Sequence, residues 1–462
     1  MNPRHRRGLT LAASITGAVL VALDGTVLSV TQPTLQRDLH ASVTAVQWTS
    51  TGYLVTVAAL LVFAGRLGDR YGHRRLFVLG VTGFAASSAG IAAAPGIGWV
   101  IALRVAQGMT GALLQPATLG LLRAVWPADR LPGAIAARTA ALGLAAATGP
   151  LVGGALTTHL GWRAVFLLGL LPAAAALLAA LAIPAAPGAP GAPTTGRTVS
   201  GLDLPGAALL ALTLVALVHT LVTLPTAGWT PGTALVLAVA ALAALALARH
   251  ERRTAHPLLP AAVLRSPTVG PALGVLFAAS AAVLGVLFPA TYFLQDVLGL
   301  DPLRSALRAA PLAVSMILAA PAAAWLAKRH GVRTTVLGGM ALITAGILLT
   351  ARLGPDSGDA AIGGCFLLLG CGLGAVMTTA TSAIVQGAPA AESGLAGGLQ
   401  QTVMNIGPAL GIALATTVAG RTAPGAALTP VALATAAVAA AGALPALRLP
   451  RRRAAQPLPD LT

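Results

Sequence analysis

Charged residues are scarce in this sequence. They make up 9% of 462 residues, against roughly 25% in an ordinary soluble domain, while 56% are apolar. That deficit excludes a water-soluble fold and points to a chain dissolved in a bilayer. Lysine is almost missing: Lys328 stands alone and is followed by Arg329, so the Gly-Lys-Ser/Thr phosphate loop cannot be built and this chain does not itself hydrolyse ATP. Cysteine occurs twice, at Cys365 and Cys371 in one apolar run. Six positions turn a helix through about 240°, so the two thiols face different ways and offer neither a disulfide framework nor a cysteine metal site. Aromatics, at 4%, are too few to favour an aromatic cage for organic cations. Acidic residues number 12, with no DxD, HxxxD or HxxH cluster of the kind a polytopic membrane enzyme places at the membrane edge. No metal or cofactor is expected.

What the chain has in abundance is apolar sequence in runs of about 20 residues, enough to cross ~30 Å of hydrocarbon. Fourteen spans are expected, starting near Leu9, Ala45, Leu76, Ile97, Gly133, Trp162, Leu204, Gly232, Thr268, Ser305, Thr334, Ala360, Leu395 and Val431. The net charge of +17 and pI near 11.7 resemble a nucleic-acid binder. The basic residues, however, fall in short clusters between apolar runs, so no nucleic-acid partner is expected. One set of loops, with the termini, carries twenty-one of the 29 Lys and Arg and the opposite loops six, which places both termini in the cytoplasm. The first run follows a basic start but is too long for a signal peptide and contains Asp24, so it reads as an uncleaved span. Arginine-for-lysine, alanine-rich usage fits a high-GC bacterial genome.

The chain also repeats itself. Gly149-Pro150-Leu-Val-Gly153 matches Gly407-Pro408-Ala-Leu-Gly411 at an offset of 258, and Leu67-Gly-Asp69-Arg70-Tyr-Gly72-His-Arg74 matches Leu326-Ala-Lys328-Arg329-His-Gly331-Val-Arg333 at 259. Six spans need only about 180 residues at this spacing, so two six-span halves must be separated by an insert. The organisation expected is an amino-terminal bundle over 1–183, a Pro/Gly-rich cytoplasmic linker over 184–203, two inserted spans over 204–250, a carboxy-terminal bundle over 251–447 and a cytoplasmic tail over 448–462.

Ionisable groups within hydrocarbon cost at least ~2.5–3.5 kcal/mol each. Asp24 is the one acid deep in a span, and Arg104 falls at a similar depth in span 4. A low-dielectric setting favours the protonated carboxyl and a nearby guanidinium the ionised one, so together they can work as a protonation switch. The alternative is a static ion pair tying spans 1 and 4. His219 in span 7 is expected to be locally hydrogen-bonded. The stretch Gly65–Arg75 reads as a loop between spans 2 and 3: either a positive anchor, or, through Asp69 and its glycines, a contact that forms and breaks. Gly149-Pro150 with Gly153 and Gly154, repeated by Gly407, Pro408 and Gly411, removes a backbone donor and side chains, which favours a moving interface. Gly394 with Gly398 forms a further small-residue ridge.

These motifs carry a resemblance that covers nearly the whole chain. Gly65, Asp69, Arg70, Gly72, Arg74 and Arg75 resemble the cytoplasmic loop motif of the major facilitator superfamily, with Gly68 at its small position and His73 in place of a basic residue. Arg104, Gln107 and Gly108 resemble its span 4 motif, with Met109 at a usually small position. Gly149, Pro150, Gly153 and Gly154 resemble its antiporter motif, with Ala145 where a further glycine is common. Leu23-Asp24-Gly25-Thr26 with Pro33 is similar to the span 1 motif of the fourteen-span drug:proton antiporters. The resemblance implies an all-α polytopic membrane protein with a major-facilitator-type fold, two six-helix bundles plus two inserted central helices. It implies a monomeric exporter in a bacterial cell membrane, driven by the proton gradient through Asp24 and Arg104 and carrying a small amphiphilic substrate. A proton-coupled importer shares the fold. Gln47, Trp48, Gln115, Gln401 and Asn405 are candidates to line the cavity, or equally to bond neighbouring helices.

Overall fold

A computed structural model of the chain describes residues 3–127, 130–183, 203–254, 266–387, 393–419 and 428–450. Most of the expected linker and tail, and Gly394's surroundings, lie outside the described residues. Among those described there is no strand. Hydrocarbon offers the backbone no hydrogen bonds, so each crossing segment satisfies its own as a helix.

The helices are α1 (Pro3–Asp38), α2 (Val43–Tyr71), α3 (His73–Ala92), α4 (Ile97–Val125), α5 (Leu131–Leu160), α6 (Trp162–Leu168) and α7 (Leu170–Ala182). There follow α8 (Leu204–Ala227), α9 (Pro231–Arg253), α10 (Val269–Tyr292) extended by a π-helical turn (Phe293–Val297), α11 (Pro302–His330), α12 (Val332–Thr350), α13 (Asp359–Gly387), α14 (Ser393–Ala419) and α15 (Leu428–Ala446). Starts are chemically marked. Ser42, Asp203, Thr230 and Asp301 each accept a hydrogen bond from the first turn, and a proline follows three of them within two residues. Thirteen stretches among the described residues are long and apolar enough to cross a membrane, with α6 and α7 counted as one. To these α2 adds a helix of 29 residues, ~43 Å long.

The internal repeat is also a repeat of packing. In the first half α1 packs on α5, α2 on α4, α3 on α4, and α7 covers α1 and α3. In the second half α10 packs on α14, α11 on α13, α12 on α13, and α15 covers α10 and α12. The Gly-Pro segments do the same task in each. A side chain at Gly153 would run into the Val27 carbonyl of α1 at 2.9 Å, and one at Gly407 into the Phe277 carbonyl of α10 at 2.9 Å. Two apolar cores result, one per half. A seam joins them where α2 meets α14 and α5 meets α11, and the inserted pair α8–α9 lies against α2 and α14.

One end of the seam is tied. Thr31 on α1 and Thr157 on α5 share a hydrogen bond of 3.0 Å, so Val30 and Thr158 lie at the same end. There Gln295 of the π-helical turn donates to the Val30 carbonyl at 2.7 Å, and the Leu303 amide donates to Thr158 Oγ1 at 3.1 Å. Gly154 sits against the Pro302 carbonyl so closely that a Cβ there would lie 2.7 Å from it.

The expected loop over Gly65–Arg75 is corrected. Helix α2 continues to Tyr71 and α3 begins at His73, so Gly72 alone lies between two helices, with φ of 93°. Its counterpart in the repeat, Gly331, has φ of 92° between α11 and α12. The charges of this stretch lie on helical turns, whose backbone needs no loop to meet water. Only the corner demands a residue free of the steric penalty at positive φ. Gly398 is also corrected: nothing lies within 4 Å of a Cβ placed there, so it forms no packed ridge.

Candidate functional site

Arg104 and Gln107 stand three positions apart on α4 and so share a face, which is turned toward α1. Arg104 Nη1 lies 2.6 Å from Asp24 Oδ2, with side chains only 2% and 9% exposed. Gln107 Nε2 donates to Asp24 Oδ1 at 3.1 Å and to Ser88 Oγ of α3 at 2.8 Å. The arginine has further acceptors: Nε donates to the Thr49 carbonyl at 2.8 Å and Nη1 to Gln107 Oε1 at 2.6 Å, while its guanidinium lies 4.4 Å from the centre of the Tyr53 ring. A proton arriving at Asp24 would therefore break the ion pair without orphaning Arg104, which keeps the carbonyl, the amide oxygen and the ring. A cavity of about 10 Å³, room for about one water, opens beside Asp24 between α1 and the α6–α7 segment.

Sequence depth alone places Asp24 and Arg104 at one level, and the structure joins them. Depth does not reach Tyr53, Ser88 or Thr49. The Tyr53 hydroxyl is buried without a hydrogen-bond partner among the described residues.

The other motif residues fall at helix contacts. Gly108 lets α4 approach the Tyr53 carbonyl of α2, 2.9 Å from where a Cβ would be, and Gly65 faces Pro116 in ordinary contact. Arg74 Nε and Nη2 donate to the carbonyls of Ala180 and Leu181 at 2.9 and 3.2 Å, closing the carboxyl end of α7. Arg70 lies 5.5 Å from the centre of its neighbour Tyr71's ring, Arg75 is exposed, and the side chain of Asp69 lies outside the described residues. Gly149 abuts Thr26, and Pro150 continues the same helix.

The five candidate cavity residues lie on α2, α4 and α14. Gln47 is fully buried with both carboxamide atoms unpartnered among the described residues, and Asn405 is buried and donates to the Gln401 carbonyl at 2.9 Å. Gln115 is half-buried and Gln401 exposed. Trp48 turns toward the insert, its ring 6.0 Å from that of His219. His219, expected to be hydrogen-bonded locally, is exposed on α8; its carbonyl accepts from Thr223, but its ring has no hydrogen bond among the described residues. Both cysteines are free.

Comparison with known proteins agrees with this architecture. The chain is 40% identical over 414 residues to the tetracenomycin C resistance and export protein of Streptomyces glaucescens, covering 89% of this chain and 76% of that one. It is 33% identical over 422 residues to the puromycin resistance protein of Streptomyces alboniger, covering 90% and 82%. A crystal structure of the peptide transporter POT with alafosfalin superposes with a TM-score of 0.68 over 96% of this chain and 94% of that one, at 17% identity, a likeness of fold. The family model described as Major Facilitator Superfamily matches residues 15–412, and with the repeated helix packing it establishes that this chain belongs to the Major Facilitator Superfamily.

Proposed function

We propose that this multi-pass protein of the bacterial plasma membrane exports a small amphiphilic compound in exchange for protons, with Asp24 as the proton carrier. Export is favoured by the resistance and export proteins among its relatives. Proton exchange is favoured by one observation above the rest: Asp24, a nearly enclosed carboxylate, is held by an arginine that has other acceptors ready. With the termini cytoplasmic, as the loop charges favour, the tied end of the seam faces outward. In this state Asp24 is paired with Arg104, and substrate enters from the cytoplasm. Opening of the outer end would admit a proton to Asp24, part it from Arg104 and release the substrate. The expected gating contact at the cytoplasmic corner involves Gly72 and Asp69. The protein acts as a monomer and needs no cofactor beyond the gradient.

The test is a susceptibility panel of antibiotics and other amphiphiles in a sensitive host, with and without the gene, joined to accumulation measurements under a collapsed proton gradient. Protection that vanishes with the gradient is expected. Raised cellular substrate would identify an importer instead.

A further inference from the structure

Arg138 on α5 is the second arginine set into the first half, and unlike Arg104 it has no carboxylate among the described residues. Its Nε donates to Thr118 Oγ1 of α4 at 3.1 Å. The terminal nitrogens carry four of the five N–H donors. They make no hydrogen bond among the described residues, and the residue is half-buried. An ionisable group at this depth, seven residues or ~10 Å into α5, needs a reason.

Its position supplies one. Helices α3 and α7 cover the far side of α1 and α4, whereas α5 and α2 make the main contacts of this half with the second half, and α1 lesser ones. A bond from α5 to α4 therefore passes over the face of α1 turned toward the seam. The Thr118 carbonyl accepts from Ser14 of α1 at 2.9 Å, and Asp24 lies ten residues, ~15 Å, further along that helix. Gln115, one turn from Thr118 on α4, adds a half-buried carboxamide.

The charge balance supplies the other. Asp24 is neutralised by Arg104. The other acidic residues among those described lie between helices or within two residues of a helical segment's end. Among the described residues, the cytoplasmic part of the path between the halves thus offers a lipophilic cation no free carboxylate, and offers an anion one guanidinium. We propose that Arg138 is an anion subsite on the export path, holding an acidic oxygen of the substrate (carboxylate, phenolate or enolate) on the cytoplasmic side of the Asp24–Arg104 pair. This rests on the export reading and names its substrate class: acidic amphiphiles, rather than permanent cations.

A matched pair of probes tests it. 2-Hydroxy-1,4-naphthoquinone is an ionised enol at neutral pH, and 2-methoxy-1,4-naphthoquinone has the same rings without the acidic proton. Binding of each to the full-length protein in proteoliposomes is read from tryptophan quenching, corrected with empty liposomes. The wild type is expected to prefer the hydroxy compound by about tenfold, the scale of one charge-assisted contact. Arg138→Gln should bring the two affinities together by weakening the hydroxy compound alone, and Arg138→Lys should keep part of the preference. Should Arg138→Gln fail to fold, Thr118→Val, which keeps the charge but removes its tether, should still diminish the preference. A wild type without preference, including one that binds neither probe, overturns the proposal. So does a preference that survives Arg138→Gln or is untouched by Thr118→Val. Failure of the export reading would appear separately, as a wild type that protects no host.

Discussion

Asp24→Asn removes the one deep carboxylate while keeping its shape. The new amide can present its oxygen to Arg104 Nη1, but its nitrogen then faces Gln107 Nε2, donor against donor, where a 3.1 Å hydrogen bond stood. One buried N–H loses its acceptor, about 1–3 kcal/mol, and the Arg104 charge loses its counter-ion, for which ~3–5 kcal/mol is the upper bound because the Thr49 carbonyl, Gln107 and the Tyr53 ring remain around it. The variant should therefore insert and fold. Its energetics of transport should change completely. One pH unit across the membrane is worth about 1.4 kcal/mol per proton, so exchange of one proton for one neutral substrate sustains about a tenfold substrate gradient. Proteoliposomes given a pH step should reach that ratio with wild-type protein and stay near one with Asp24→Asn, while downhill substrate exchange continues and shows the variant alive. An Asp24→Asn protein that still concentrates substrate tenfold would remove Asp24 from the coupling.

Gly153→Ala should lower stability by about 1–3 kcal/mol and slow transport, because its Cβ meets the Val27 carbonyl, whereas Gly143→Ala on the same helix has open space and should be silent in a thermal-shift assay. Gln295→Leu leaves the Val30 carbonyl without its donor and should favour outward opening, about tenfold for ~1.4 kcal/mol, read as faster labelling of a cysteine placed beside Val30. Gly72→Val, forced to a φ of 93°, should slow turnover with substrate binding retained, as should Asp69→Asn, while a neutral residue at Lys328 should matter less; equal sensitivity at both corners would reduce these charges to topology signals. Asp203→Asn weakens the 2.7 Å contact with His250 that joins the ends of α8 and α9, and should speed amide exchange at the start of α8.

The spans and their repeat were legible because hydrocarbon penalises polarity so strongly that apolar runs, Gly-Pro pairs and a lone acid stand out. Asp24 and Arg104 could be paired by depth for the same reason. Tyr53, Ser88 and Thr49 could not, since hydroxyls and carbonyls are common in spans and only the packing of α2 and α3 on α4 selects these. For Trp48 the sequence left cavity lining and contact with a neighbouring helix equally open, and the ring stands against His219 of α8. The corner at Gly72 misled through composition: a cluster of charges and glycines reads as a loop, yet charged helical turns persist at a membrane surface. Arg138 is a charge among apolar residues in the sequence, but that it meets Thr118 and no carboxylate among the described residues is decided by the fold alone.

The two glycine corners restrict how the molecule can move. With one residue between helices, Tyr71 and His73 stay within about 7 Å of each other, two virtual bonds of 3.8 Å, and the same holds across Gly331. Helices α2 and α3 can swivel about that point but cannot part. Rearrangement of α2 against α14 at the seam must therefore drag α3, which lies on the far side of α4, and α11 must drag α12 in the same way. The outermost helices are thus geared to the innermost contacts, and a probe attached to α3 or α12 would register each transport cycle without touching the substrate's route.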